Sequence, residues 1–334
     1  MQTTRRTVLN LGLGIAAGSV LAGEGREVLA GEPAAAGTQP RPGRSIPQQK
    51  LARIIVDNDF AGDPDGLVAL AHQLLSPTTQ VTLVTSLPLN RRFESPALAG
   101  RSAAAGAEFA RHLLGLVHQP SIPVLAGPEN IPAHQAPASP AADAIVREAL
   151  RQDSLPLIVT CGGPLTNVAA ALREEPRIAE RMTVIWIGGD AYPAGGWEYN
   201  LMTDVAAARF VIERSRVPLW QVPLNAYRQM QYSIARMNAV MRTGPELARW
   251  LYRRFVHPPE WAKIGGTWPL GDSPLVLLTA LSSESSVYEE RPAKVILKDG
   301  RYGREIPGRR LRVYASVDAR LTFEDMEALF ALQR

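Results

Sequence analysis

The sequence predicts an α/β fold: a mostly parallel, Rossmann-like sheet flanked by helices and finished by a C-terminal hairpin and helix. Short apolar runs of strand length alternate with helical patterns from Leu51 onward. Polar, chemistry-bearing residues follow several of those runs directly, where loops leave the carboxyl ends of parallel strands. With 334 residues and 46% hydrophobic positions, the chain can bury a large core.

The N-terminus reads as an address. Two arginines, Arg5 and Arg6, stand ahead of the apolar run 11–21 in the pattern of a twin-arginine export signal. That run is rich in Gly and Ala and shorter than the ~20 residues a spanning helix needs. Residues 1–30 are therefore expected to be a signal peptide, cleaved after Ala22 or Ala30, with no stable membrane anchor. The expectation carries the twin-arginine (Tat) translocase as a partner during export and a periplasmic or secreted location. Residues 31–50, rich in Pro, Gly and Ala without periodicity, read as a flexible leader, so the folded domain is placed at 51–334. The net charge of +4 is spread along the chain rather than gathered on one face, which argues against a nucleic-acid partner. The single cysteine, Cys161, excludes an intramolecular disulfide and reads as buried filler.

In order, a strand at 54–56, a helix at 66–75 and a strand at 81–86 make a βαβ unit. The loop between the first two is DNDFAGDPDG, residues 57–66, with four carboxylates that repel one another unless water or a cation lies between them. A hard-metal site and a solvated loop are both open at this point. A helix at 96–117, a strand at 123–125, a long Pro-rich loop at 127–140 that is a candidate lid and carries a solvated His134, and a helix at 141–152 follow. The strand at 157–160 runs into Cys161-Gly162-Gly163-Pro164-Leu165-Thr166-Asn167, whose glycines permit close backbone approach and whose Thr166 or Asn167 can cap the next helix. This turn suits a phosphate or a metal-bound carbonyl, but no Gly-Lys-Ser or Gly-Lys-Thr sequence supports nucleotide triphosphate binding.

A strand at 182–187 precedes Trp197-Glu198-Tyr199-Asn200, where Glu198 and Asn200 can hydrogen-bond a polyhydroxylated ligand. Asp204 reads as the N-cap of a helix at 205–215, and a strand at 219–223 leads to helices through about Phe255. Asp272 opens an apolar helix at 275–281 and by itself is also an N-cap. Strands at 294–297 and 311–317 form the hairpin, and a helix from Thr322 closes the chain.

From about residue 53 to the C-terminus, this order of motifs resembles the inosine-uridine nucleoside hydrolase family. That family opens with Asp-x-Asp-Pro-Gly-x-Asp-Asp after its first strand. Here Asp57, Asp59 and Asp63 keep the spacing, Phe60-Ala61 replaces Pro-Gly, and Pro64 stands in place of the last aspartate, with Asp65 one position later. The segment GGPLTN is similar to the family's Gly-Pro-Leu-Thr-Asn turn, Glu198-Tyr199-Asn200 to its Glu-Phe-Asn ribose clamp, and Asn90 to the asparagine that ends its Val-Val-Gly-Asn.

The resemblance implies the nucleoside hydrolase type of fold and hydrolysis of the N-glycosidic bond of ribonucleosides, giving ribose and free base. It implies a calcium ion held by Asp59, Asp65, the Gly162 carbonyl and Asp272, with Asp59 also the catalytic base for metal-bound water. Asp63 and Asp65 divide the remaining ribose and metal roles, and Asp65 takes the metal because it immediately precedes the helix. Asp63, Asn90, Glu198 and Asn200 would contact the ribose, Ile187 would lie under the sugar, and Trp268 or Trp197 would stack on the base. Family membership also implies a homo-oligomer. Gly271 departs from the pattern, since many members carry there a histidine that protonates the leaving base; His257 is one replacement. Two other readings stand beside this one. An exported calcium-dependent nucleoside or sugar binding protein without hydrolytic activity would explain the departures. A phosphatase-like use of Asp57 and Asp59 leaves GGPLTN, the Glu-Tyr-Asn segment and Asp272 unexplained.

Overall fold

The computed structural model describes residues 46–131, 138–258 and 263–333; the proposed signal peptide, most of the leader and His134 lie outside them. Strand β1 (Ala52–Asn58) is buried along its whole length, as an apolar run in the middle of a parallel sheet covered on both faces should be. It pairs in parallel with β2 (Thr79–Ser86) on one side and β4 (Leu157–Cys161) on the other. Beyond β2 lies β3 (Val124–Ala126). Beyond β4 come β5 (Met182–Ile187), β6 (Leu219–Val222), β10 (Tyr302–Ser316) and β9 (Val287–Ile296). Within the described residues this sheet has eight strands in the order 3-2-1-4-5-6-10-9, parallel throughout except for the β9–β10 hairpin.

The helices divide between the faces. Buried side chains of α1 (Asp65–Leu75), α2 (Ser102–Leu116), α8 (Ile234–Val240), α9 (Glu246–Phe255) and α11 (Ala319–Ala331) share one core. Those of α3 (Pro140–Leu150), α4 (Thr166–Glu174), α5 (Tyr199–Thr203) and α6 (Val205–Arg209) share the other. Short helices α7 (Leu224–Tyr227) and α10 (Pro274–Val276) flank a third cluster over β5 and β6.

Some elements differ from the sequence reading. The stretch read as helical through Phe255 contains β7 (Gln231–Ser233), which pairs with β8 (Thr267–Pro269) in a separate antiparallel ribbon. Three residues are too few to show alternation, and their partner lies far along the chain. The helix expected from residue 96 begins at Ser102, and the one expected at 205–215 changes from α to π hydrogen bonding at Phe210. The consequence for function lies at the centre of the sheet. Chain order runs outward in opposite directions from β1 and β4, so their carboxyl ends flank a topological switch point, the usual ligand crevice of such sheets.

Candidate active site

Both loops with the densest chemistry open on that crevice, because Asp57 and Cys161 are paired residues at the ends of β1 and β4. The four carboxylates of residues 57–66 do not act as one group. Asp57 turns into the sheet, where its Oδ1 accepts hydrogen bonds from Thr85 Oγ1 at 2.7 Å and Asn167 Nδ2 at 2.9 Å. Burial pushes its carboxyl up to about 7 even though Asn167, Thr85 and the Cys161 thiol oppose the shift. Asn167 is therefore a support for Asp57 and not the cap of α4, and Thr166 donates to Asp204 at 2.7 Å. Asp204 caps α6 as expected, accepting from Ala207 N at 2.9 Å.

Asp59, Asp63 and Asp65 gather with Asp272, which returns from more than two hundred residues downstream. The Asp272 amide donates to Asp65 Oδ2 at 3.2 Å, and Asp272 Oδ2 accepts from Asn58 Nδ2 at 2.9 Å. Ser273 and not Asp272 is the cap position of α10, so the Asp272 carboxylate is left to the crevice. Desolvation, then repulsion from Asp272 and Asp63, holds the Asp59 and Asp65 carboxyls well above the ordinary carboxylate range. Asp272 is raised by burial and by Asp63 and Glu198, against the pull of Asn58. Asp63 stands at the solvent-open mouth and is shifted less, with Trp268 Nε1 donating to its two oxygens at 2.9 and 3.2 Å.

Trp268 thus has a different place from the stacking position expected of it. It is 4% exposed, packs edge-on against Phe255 and props Asp63 from beneath, so it offers no open face to a base. Trp197 does: it is 49% exposed and forms an aromatic row with Phe93 and Tyr199, at centroid separations of 6.1 Å from Trp197 to Phe93 and 5.5 Å from Phe93 to Tyr199. His257 is exposed on the surface.

Glu198 and Asn200 are buried, and Glu198 is fully engaged. Glu198 accepts from the amides of Gly189, Asn200 and Leu201 at 2.7, 3.2 and 2.9 Å and from Tyr227 Oη at 3.0 Å, which caps α5. Asn200 Nδ2 donates to the carbonyls of Gly162 at 3.2 Å and Ile187 at 2.9 Å, so it orients the carbonyl expected to face the metal. Asn90 makes a local turn, its Oδ1 accepting from Arg92 N at 3.1 Å while its own amide donates to Tyr199 Oη at 3.2 Å.

Two residues of this site escaped the sequence reading. Asn58 was hidden between two aspartates, and Tyr227 in a short helix with no motif; the ring of Tyr227 lies beside Gly271, where a Cβ would come within 3.2 Å of it.

The donor set fits a hard cation. It consists of carboxylate, carbonyl and amide oxygens, the buried Asn58 Oδ1 has no partner, and the one thiol, Cys161, is buried against the Gly163 carbonyl at 3.3 Å. Among the described residues no three His, Cys, Asp or Glu side chains already stand in ligating geometry, so a cation would have to draw them together.

Comparison with known proteins gives the family and the fold. The model of the family described as inosine-uridine preferring nucleoside hydrolase matches residues 54–324. An uncharacterized protein of Schizosaccharomyces pombe is 30% identical over 234 residues, 60% of this chain and 71% of that protein. The pyrimidine-specific ribonucleoside hydrolase RihA of Salmonella paratyphi A is 28% identical over 209 residues, 54% of this chain and 63% of its own length. Among solved structures, a plant nucleoside hydrolase superposes with a TM-score of 0.66 at 18% identity, covering 84% of this chain and 99% of its own. The inosine-uridine preferring nucleoside hydrolase of Bacillus anthracis gives 0.62 at 16% identity, covering 85% of this chain and 100% of its own. These two likenesses bear out the predicted fold. With the family match spanning most of the folded chain, the protein belongs to the inosine-uridine preferring nucleoside hydrolases, a family of N-ribosyl hydrolases.

Proposed function

We propose that the protein hydrolyses the N-glycosidic bond of ribonucleosides, with calcium as its resident cation and Asp59 as catalytic base. One observation carries the reading: Asp59, Asp65 and Asp272 gather at the β1–β4 switch point, where Asp272 raises the carboxyls of the other two and Asp63 raises all three, a grouping that repels itself unless a cation is bound. Calcium at this site would supply a Lewis acid that orients the cis hydroxyls of ribose and acidifies a water. Asp59 takes the proton from the attacking water as the bond from the anomeric carbon to the base breaks. Positive charge develops on the sugar at that moment, and the carboxylates around it favour it. Asp63, propped by Trp268, faces the mouth and suits a ribose hydroxyl.

Glu198 reaches the ribose only by exchanging one of its present hydrogen bonds, while Asn200 holds the Gly162 turn with its Nδ2 and keeps its Oδ1 for a ribose hydroxyl. The leaving base stacks on Trp197, the exposed member of the aromatic row. Gly271 offers no acid to that base, so ribosides with good leaving groups should turn over best. The N-terminal segment would send the enzyme through the Tat translocase to the periplasm or the medium, and replacing Arg5 and Arg6 by lysine should keep the precursor in the cytoplasm.

Purified protein with calcium, offered inosine, adenosine, uridine and para-nitrophenyl riboside, should release ribose, fastest from the last, and Asp59→Asn should slow release by about 10²- to 10⁴-fold. Binding of ribosides without turnover on any of them would instead identify a nucleoside-binding protein.

A further inference from the structure

We propose that Asn58 is the positioning residue for Asp272, its amide fixing which carboxylate oxygen turns toward the cation; the proposal rests on the cation reading above. Side chains alternate along a strand, so Asp57 and Asn58 at the end of β1 face opposite sides. Asp57 enters the Thr85–Asn167 pocket, and Asn58 reaches across the crevice to Asp272. The contact is buried at both ends, Asn58 being 1% and Asp272 4% exposed, and the Nδ2 to Oδ2 distance is 2.9 Å.

Asn58 is confined on two further sides. A Cβ on Gly162 would come within 2.2 Å of Asn58 Nδ2 and 2.7 Å of Asp272 Oδ2, and a Cβ on Gly66 within 2.7 Å of Asn58 Oδ1. The two glycines make the slot that the amide fills. Its Oδ1 is buried without a protein partner, so among protein groups the Asp272 carboxylate sets the direction of the amide. Turned over, the amide would press an oxygen against that carboxylate. Asn58 therefore occupies Oδ2 of Asp272 and leaves Oδ1 for a ligand. A neutral donor serves here because a fifth carboxylate would add to a cluster already crowded with negative charge.

The test uses the full chain with Asn58→Leu, which keeps the branched outline and removes the donor, and Asn58→Asp, which keeps the shape and replaces the donor by a charge. Calcium affinity is measured by calorimetry and the orientation of Asp272 by crystal structures of the calcium-free variants. Both variants should bind calcium about 10- to 100-fold more weakly, the range found when a group supporting a metal ligand is removed. In the calcium-free Asn58→Leu structure the Asp272 carboxylate should leave its single orientation. Asn58→Asp binding calcium as tightly as the parent, or Asp272 unmoved in either variant, would overturn the proposal. If the parent protein binds no calcium, the cation reading fails, and the crystallographic comparison still decides whether Asn58 sets Asp272. Should Asn58→Leu fail to fold, Asn58→Asp supplies both readouts.

Discussion

Asp57 and Asp59 are two residues apart at the end of one strand, yet their surroundings differ in kind. Asp57 is ringed by donors from Thr85, Asn167 and Cys161, and burial alone raises its carboxyl. Asp59 is ringed by acceptors, with Asp272, Asp63 and Glu198 adding repulsion to desolvation. A buried carboxylate whose lone pairs are already satisfied is a structural part. One whose neighbours are other carboxylates is held in readiness for a proton or a cation.

The largest effect should separate the two at once. Asp59→Asn is expected to lower kcat by about 10²- to 10⁴-fold, the usual share of a general base, while thermal unfolding of the calcium-free protein stays level or moves up, because a repelling charge has gone. A variant that unfolds early would put Asp59 on the structural side of the comparison. Asp57→Ala should do the reverse. It strands the buried Asn167 amide and Thr85 hydroxyl, at a cost of about 1–3 kcal/mol for an unpaired buried group, visible as a lower unfolding midpoint in urea. Loss of turnover with stability intact would contradict the assignment.

The difference between these two residues also marks how far the sequence could be read. The parallel sheet, the acidic loop, the GGPLTN turn and the late Asp272 were legible because each is a local pattern: an apolar run followed by residues of one chemistry. Asp57 looked like the first of four equal acids, since strand alternation fixes that it faces away from Asn58 but not what it meets there. Trp268 looked like a stacking platform, and its burial against Phe255 under Asp63 depends on β8 pairing with β7, a contact between segments over thirty residues apart. Asn167 and Asp272 were both plausible helix caps, and in each case a distant partner claims the side chain. What escaped was the choice of partner across the sheet, which no local pattern encodes.

Acidity gives a third way to sharpen the contrast. Asp57 rises to about 7 from an ordinary 3.8, so the folded state binds its proton more tightly than the unfolded chain. Its contribution to stability is complete below pH 3.8 and is lost as the pH rises through 7. Asp59, Asp65 and Asp272 are raised in the same sense. The calcium-free protein should therefore melt at a lower temperature at about pH 8 than at about pH 5. Calcium would counter the loss at the cluster but not at Asp57, adding about 2.7 kcal/mol at a hundred times its Kd, and more fully at the higher pH. A calcium-induced shift of equal size at both pH values would mean that these carboxylates are not its ligands.

The smallest effect falls on Glu198, which shares Asp57's donor-rich character although it lies beside the acidic cluster. Three of its four hydrogen bonds come from backbone amides that no substitution of a partner removes, and the fourth comes from Tyr227. Burial and the neighbouring carboxylate push the Tyr227 phenol far up, so it is a donor at every working pH. Tyr227→Phe deletes that one bond and keeps the ring beside Gly271, at a cost of about 0.5–1.5 kcal/mol in stability. Ribose should then be bound a few-fold more weakly, read as a rise in KM with kcat nearly constant, because the amides still hold Glu198 in place. A fall in kcat as large as that of Asp59→Asn would place the Tyr227 hydroxyl among the reacting groups, on the side of Gly271 where the leaving base lacks an acid.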